Sequence, residues 1–176
     1  MVILMKILII LKCLVLQLTL SMQVSRIPSL GAPPNKRYDN GAVLDRKHNR
    51  IITFGGFDTS QKHRSPDIHE YDLSTRSWST IIPHSRLSPG ISNFQMYLRE
   101  YNKFLIFFGE MNQGISSEVF SFDLETRAWM IEKLTGDKIP GRFVHASTEF
   151  IDQNNQSFVA IFGGYTHDGI NNDLFL

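Results

Sequence analysis

Residues 71–78 read YDLSTRSW, and residues 122–129 read FDLETRAW. Five of the eight positions are identical at a shift of 51 residues. In each copy an aspartate follows an aromatic residue, and Asp can start a tight turn because its side chain accepts hydrogen bonds from nearby backbone N–H groups. A tryptophan ends each copy and can bury a large apolar area. The pattern predicts two strands joined by a turn, with structural roles for Asp72, Trp78, Asp123 and Trp129.

Each copy follows an apolar run that ends in glycine. These runs are IITFGG at 51–56 and LIFFGE at 105–110, and a third, VAIFGG, stands at 159–164. The first glycines of the three runs are 54 residues apart each time, and a period of about 50 residues indicates a repeat architecture. Glycine lacks Cβ, so its backbone can adopt positive φ or approach another backbone closely. We assign this structural role to Gly55, Gly56, Gly109, Gly163 and Gly164, with Glu110 in place of the second glycine of the middle run.

The order of these signals resembles the kelch repeat from about Gly31 to the end of the chain. In kelch proteins each repeat forms one four-stranded antiparallel blade of a β-propeller. A blade-opening signal of Gly, Arg and His adds to the resemblance in the third unit, and it recurs 105 residues earlier with Asn in place of His. The middle unit lacks the opening arginine. The signal consists of Gly136, Arg142 and His145 in the third unit and of Gly31, Arg37 and Asn40 in the first.

The resemblance implies an all-β fold, an open portion of a kelch-type propeller with two blades and most of a third. The repeats are 35–82, 83–134 and 135–176, and the third stops before its Asp turn and Trp strand. We therefore expect a fragment of a longer protein, whose open blade edges allow self-association. Short runs rich in β-branched and aromatic residues predict the strands. They are 42–45, 50–54, 68–72, 77–81, 94–98, 104–108, 119–123, 129–133, 146–151, 158–162 and 173–176.

The first 21 residues are apolar apart from a few polar positions. They predict a cleaved secretory signal at 1–21, and hence a secreted chain. The alternatives are an uncleaved membrane anchor and a true start at Met22, which would leave the protein in the cytoplasm. A sequon agrees with secretion and makes Asn155 a candidate glycosylation site. Residues 22–34 are predicted to be a linker or a lone strand that closes the propeller.

Composition and cysteine usage exclude several function classes. Net charge is +1 and no basic run stands out, so we do not predict a nucleic-acid partner. Cys13 is the single cysteine, which excludes a disulfide framework and a Cys-based metal site downstream. No nucleophile elbow, phosphate-binding loop or dinucleotide-binding glycine pattern occurs.

The kelch family includes copper oxidases of the galactose oxidase type, which the resemblance raises as an alternative function. Their cofactor requires a cysteine crosslinked to a tyrosine, and Cys13 lies in the predicted signal, so that activity lacks support. His63 and His69, with Asp67 and Glu70 nearby, follow no recognised metal-ligand spacing. We therefore predict a protein that is not an enzyme and that holds no metal and no cofactor.

The loops are the predicted binding surface, because propeller loops lie on a rigid frame and such loops often carry function. One set follows the glycine runs at 58–65, 111–117 and 166–172, and a second set joins blades at 84–89 and 135–141. We predict a non-enzymatic scaffold that binds a protein or peptide there. The alternative is a fragment of a secreted, galactose-oxidase-like carbohydrate-active enzyme. The candidate binding residues are Lys62, His63, Arg64, His84, Arg86, Asn112, Gln113 and His167, although Lys62, His63 and Arg64 also fit a merely solvated basic tip.

Overall fold

The computed structural model describes residues 23–28, 30–99 and 102–176. These residues are all-β without a helix, which confirms the predicted fold class. Consistently, they contain no helix of the length and apolarity that crossing a membrane requires. The strands are β1 (Leu30–Gly31), β2 (Arg37–Tyr38), β3 (Gly41–Asp45), β4 (Arg50–Phe54), β5 (Phe57–Asp58), β6 (His63–Arg64), β7 (Ile68–Asp72), β8 (Ser77–Ile81), β9 (Ile91–Ser92), β10 (Gln95–Arg99), β11 (Lys103–Phe107), β12 (Glu110–Met111), β13 (Gly114–Ile115), β14 (Val119–Asp123), β15 (Ala128–Glu132), β16 (Ala146–Ile151), β17 (Ser157–Phe162), β18 (Tyr165–Thr166), β19 (Gly169–Ile170) and β20 (Leu174–Phe175).

The long strands form three successive antiparallel blades. Blade 1 has the order β3-β4-β7-β8, blade 2 the order β10-β11-β14-β15, and blade 3 the order β16-β17-β20 within the described residues. The blades do not close into a ring. The predicted strands are confirmed to within one or two residues, whereas the two-residue strands that follow each glycine run were missed and had been predicted as loops.

The repeated aspartates form the turns that the sequence predicts. Asp72 Oδ1 accepts hydrogen bonds from the N–H groups of Ser74 at 2.7 Å and Thr75 at 2.8 Å. Asp123 Oδ1 does the same for the two equivalent N–H groups of its own turn. These bonds, first from Thr75, lower the pKa of Asp72 below its ordinary value. Each turn therefore starts its Trp strand at a fixed place.

Blades 1 and 2 share the main apolar core, because alternate side chains of a strand face opposite sides of its sheet. In β11, Phe104 and Ile106 are buried in the core shared with blade 1, whereas Leu105 and Phe107 on the opposite face are half-buried. Trp129 of β15 lies in the shared core and is 4% exposed. Its ring centroid is 4.9 Å from that of Phe54 of blade 1. The structural role that the sequence predicts for Trp129 agrees with this buried position between two blades.

Trp78 differs from its counterpart Trp129. It packs on Tyr71 of its own blade, with the ring centroids 5.0 Å apart, and it is half-buried. Trp78 therefore packs within its own blade, whereas Phe107 of blade 2 packs against the cluster that contains Ile161 of blade 3. Trp129 covers the blade before its own, and no blade precedes that of Trp78 among the described residues.

The glycine register of the middle blade also needs a correction. The N–H groups of Gly55, Phe108 and Gly163 donate to equivalent carbonyl oxygens at 3.2, 3.1 and 3.0 Å. Phe108 is therefore the counterpart of the first glycine, and Gly109 is the counterpart of the second. Phe108 adopts the left-handed conformation with a φ of 55°, close to the 67° of Gly55. Its side chain is completely buried, and this burial offsets the backbone strain.

The segment before blade 1 contributes one short strand. Residues 23–28 form no strand, and Leu30–Gly31 pairs in parallel with β8 of the blade that it precedes. Whether residues 22–34 serve as a linker or as a strand that closes a propeller stays a prediction. The predicted signal at 1–21 lies outside the described residues, so secretion stays a prediction. Asn155 lies on an exposed turn between β16 and β17, as a sequon requires, and its glycosylation stays a prediction.

We expect Trp129→Ala to lower the free energy of unfolding by about 3–5 kcal/mol, because it opens a cavity between two blades. Trp78→Ala should give a distinctly smaller loss, because its side chain is already half-buried. Urea denaturation followed by far-UV circular dichroism measures both. Equal losses for the two variants would contradict the burial difference.

Candidate functional site

The hairpins that follow the glycine runs lie together at one end of the blades, which we call the loop end. They are β5–β6 in blade 1, β12–β13 in blade 2 and β18–β19 in blade 3. The segments that open blades 1 and 2, β2 and β9, pair with the first strand of the hairpin in the same blade. Segments that the sequence predicts as loops thus contain short antiparallel strands.

Asp58 fixes the hairpin tip of blade 1. Its completely buried carboxylate accepts hydrogen bonds from Asn35 Nδ2 at 2.9 Å and from the N–H groups of Ser60 and Gln61 at 2.7 and 3.0 Å. These bonds, first that from Asn35, lower the pKa of Asp58 below its ordinary value. The Lys62 N–H donates to the Asp58 carbonyl at 2.8 Å. The tip therefore presents Lys62 from a fixed backbone.

Arg64 joins blade 1 to blade 2. Its Nη2 forms an ion pair with Glu110, and its Nε donates to Ser92 Oγ at 3.1 Å. The Arg64 backbone N–H donates to Asn112 Oδ1 at 3.1 Å. Arg64 and Asn112 thus take part in contacts between blades 1 and 2. Whether they also contact a partner stays a prediction.

Other candidate side chains at the loop end remain available for binding. Lys62, Gln113 and His167 are exposed, and none of these three side chains has a hydrogen-bond or ion-pair partner among the described residues. His63 is half-buried in β6. Sequence reasoning missed Lys36, which is exposed, and whose carbonyl accepts the Thr59 N–H at 3.0 Å. Lys36 and Lys62 thus flank the same hairpin and give blade 1 a basic corner.

The blade-joining candidates lie elsewhere. The His84 N–H donates to the Arg127 carbonyl at 2.7 Å, and His84 Nδ1 lies 3.2 Å from the Thr126 carbonyl oxygen. These two residues belong to the turn before β15, at the end of blade 2 opposite its glycine. His84 is therefore not part of the loop end. Arg86 is exposed on the same connection.

The blade-opening segments also line a concave surface that sequence reasoning missed. The Asn93 N–H donates to the Asp39 carbonyl at 3.1 Å, and the Val144 N–H donates to the Asn93 carbonyl at 3.3 Å. The three equivalent residues Asp39, Asn93 and Val144 all have positive φ, at 56°, 56° and 53°. A cavity of about 360 Å³ lies over this backbone ladder. No signal in the sequence marks this ladder, because an aspartate, an asparagine and a valine share the same backbone conformation.

His145 stands beside this ladder and is 3% exposed. Its ring meets that of Phe108 edge-on, with the centroids 5.7 Å apart. Burial first, and then the positive charge of Arg142, lowers the pKa of His145 to about 4. Neither ring nitrogen has a hydrogen-bond partner in the described structure. His145 is thus a neutral packing residue, and Phe94 and Asn40 occupy its place in the other two blades.

The described residues contain no group of three or more His, Cys, Asp or Glu side chains placed to hold a metal ion. His63 lies on β6 and His69 lies on β7, where burial first, and then Arg37, lowers the pKa of His69. The loop end instead offers exposed amide, imidazole and lysine side chains, and they are carried on its hairpins. Such an arrangement can bind a polar chain through hydrogen bonds and charge.

Residues 10–176 match the family model described as the KLHDC2/KLHL20/DRC7 Kelch-repeats domain, and the match spans all three blades. Dynein regulatory complex subunit 7 of Chlamydomonas reinhardtii is similar over 51 residues, at 37% identity. This similarity covers 29% of the present chain and 4% of the length of that protein.

We expect Arg64→Ser to lower the free energy of unfolding by about 1 kcal/mol, because it removes partly solvated charged contacts between blades 1 and 2. Lys62→Asn is the matched control, since Asn tolerates the φ of 56° at that position and Lys62 has no side-chain partner in the described structure. It should stay within about 0.5 kcal/mol of the wild type. Chemical denaturation of both variants measures the difference, and an unchanged Arg64→Ser protein would contradict the inter-blade role.

We expect His145 to weaken the fold in mild acid. Its pKa is near 6.5 in the unfolded chain and about 4 in the folded one, so the unfolded chain binds the proton first as the pH falls. The contribution of neutral His145 to the free energy of unfolding is therefore fully present above about pH 6.5. It falls by about 3 kcal/mol as the pH drops toward 4.

The matched variant for this prediction is His145→Phe, which copies Phe94 of blade 2. It should remove most of the pH dependence in that window. His69, whose pKa is also lowered, titrates in both proteins and leaves a smaller slope. The carboxylates with lowered pKa, such as Asp58, change the free energy of unfolding only at still lower pH. Unfolding free energies measured across the window test this, and parallel curves for the two proteins would refute it.

Proposed function

The chain belongs to the family of kelch-repeat domains, and from this membership we propose that it is a non-enzymatic scaffold that binds a protein or peptide at the loop end. Domains of this family serve generally in protein interaction. The single observation that carries the finer proposal is the basic corner of blade 1. There Asp58 and the inter-blade contacts of Arg64 hold the hairpin, while Lys36 and Lys62 stay exposed.

The partner that fits this corner is an acidic, extended protein segment. Lysine side chains at a fixed tip attract carboxylates from a distance, and this attraction raises the association rate at low salt. Gln113 on the neighbouring hairpin is exposed and adds an amide that can donate and accept hydrogen bonds. The pinned backbone reduces the entropy lost on binding, because the tip is already ordered.

The similarity to a dynein regulatory complex subunit supports a protein as the class of partner, since that relative is named as part of an assembly. The secreted, galactose-oxidase-like enzyme is a weaker candidate, and no contact among the described residues favours it. Secretion itself is a separate prediction that the loop-end proposal does not need.

We expect the double variant Lys36→Asn with Lys62→Asn to lose partner binding without a change in melting temperature, because both side chains are exposed and lack side-chain partners in the described structure. Affinity capture from the native source, with quantitative mass spectrometry, compares it with the wild type. The matched control is Arg46→Asn with Lys47→Asn, which removes the same charge from the exposed turn at the opposite end of blade 1.

The control should recover the same proteins as the wild type. The association rate of a captured partner should fall with added salt for the wild type and much less for the double variant. Equal recovery of every partner by all three proteins at low salt would refute the basic corner as a contact site.

A further inference from the structure

The hairpin tip of blade 2 closes the open edge of the hairpin in blade 1. Arg64 lies in β6, an edge strand of its short sheet, and its backbone N–H donates to Asn112 Oδ1 at 3.1 Å. Asn112 Nδ2 in turn donates to the Arg64 carbonyl oxygen at 3.5 Å. One side-chain carboxamide thus satisfies both outward-facing backbone groups of a strand residue, because it carries an acceptor and a donor side by side.

The hairpin of blade 2 has an equivalent edge in β13. The N–H groups of Ser65 and Ser116 donate to the carbonyl oxygen of the second glycine in their own blades, at 2.9 and 2.8 Å. Ser65 follows Arg64 and Ser116 follows Ile115, so Ile115 is the counterpart of Arg64. Successive residues of an edge strand direct their hydrogen-bonding groups to opposite sides, so the N–H and C=O groups of Ile115 face outward from β13.

Ile115 has no such cap in the described structure. The same inter-blade hydrogen bond, 2.8 Å long, stacks blade 2 on blade 1 and blade 3 on blade 2, so the tip of β18–β19 stands to Ile115 as the tip of β12–β13 stands to Arg64. The tip sequences 109–115, GEMNQGI, and 164–170, GYTHDGI, align without a gap and place His167 where Asn112 stands. The side chain of His167 makes no hydrogen bond among the described residues, so the carboxamide of the filled contact is missing here.

The opening segment of blade 3 limits what can enter this edge. Gly90 packs on the Arg64 carbonyl oxygen in the filled contact, whereas its counterpart Gly141 packs one residue further along, on the backbone of residues 116–117. Gly141 thus lies against the next outward-facing position of the strand and leaves Ile115 open. An extended strand therefore lacks room to pair along this edge, whereas a single side chain fits.

We propose that the backbone N–H and C=O groups of Ile115 bind a side-chain carboxamide, from an asparagine or glutamine of the protein that approaches the loop end. This inference rests on the proposed function for that protein, and it adds the side chain that the partner inserts between blades 2 and 3. Asn112 shows which occupant fits, since it makes the same pair of bonds one blade earlier. A carboxylate is a poorer ligand, because it has no donor for the Ile115 carbonyl oxygen.

The first test measures amide hydrogen exchange by NMR on the full chain without a ligand. Asn112→Ala should speed exchange of the Arg64 N–H at least about 5-fold, because it removes the hydrogen bond that protects this group. His167→Asn copies Asn112 into blade 3 and should slow exchange of the Ile115 N–H by a similar factor. Asp168→Gln is the matched control, since it places an amide one residue further along the same tip, and it should leave Ile115 unchanged.

The second test selects short random peptides from a display library on the immobilised wild-type chain. The selected peptides should share an Asn or Gln, and its replacement by Ala should weaken binding at least about 5-fold in fluorescence anisotropy. Peptide binding should also shift the NMR resonance of the Ile115 N–H. The Asn-to-Ala effect should disappear on His167→Asn, whose own amide occupies the site, and should persist on Asp168→Gln. Melting curves establish that both variants are folded, and the Ile115 resonance of the wild type decides the matter if His167→Asn is not.

Selected peptides without a shared Asn or Gln, or an Ile115 resonance that peptide binding leaves in place, would each overturn the proposal. An amide requirement that persists on folded His167→Asn, or Ile115 exchange that this variant leaves unchanged, would do the same, as would a library that yields no binder. The Lys36→Asn and Lys62→Asn double variant separates this outcome from a failure of the basic corner. It should keep the amide requirement, because both lysines lie in blade 1, whatever its effect on charge-dependent capture.

Discussion

A backbone hydrogen bond between successive blades sets the spacing on which the rest of the structure depends. The Gly56 N–H donates to the Ile91 carbonyl at 2.8 Å, and the Gly109 N–H donates to the Arg142 carbonyl at the same distance. A Cβ at Gly56 would lie 2.7 Å from the Tyr38 carbonyl oxygen, closer than real side chains come. The second glycine of each run is therefore required by close approach. Blade stacking and the placement of the hairpins at the loop end follow from this contact.

Much of the fold could be predicted because its signals are local. Asp72 makes its turn within four residues, and the strands around it alternate in a pattern visible in sequence. The middle glycine run was misaligned because the three blades differ in the number of residues between their first two strands, which is four at 46–49 in blade 1 and five at 152–156 in blade 3. An even spacing of glycines hid this difference. Phe108 could not be recognised as the counterpart of Gly55, because burial of its ring, which only the tertiary structure reveals, overrides the preference for glycine.

The candidate site was less predictable, because its contacts join distant parts of the chain. The sequence predicts Lys62 as an exposed residue at a tip, and the structure places it there. Arg64, two residues later, is instead held by Glu110 and Ser92, which reach it through blade stacking. The ladder of Asp39, Asn93 and Val144 was invisible for the same reason, since three unlike residues share one backbone conformation. Residue type alone does not distinguish a structural contact from a binding group here.

The unequal interfaces between blades have a consequence for how the molecule comes apart. Blades 1 and 2 share a large aromatic core, whereas blade 3 meets blade 2 through a small cluster around Phe108, Val119 and Ile161. In a repeat architecture each unit is stabilised mainly by its nearest neighbours. The contact between blades 2 and 3 should therefore open in a sub-global fluctuation before the contact between blades 1 and 2 does. A protease would reach the facing sides of blades 2 and 3 before it reaches the aromatic core.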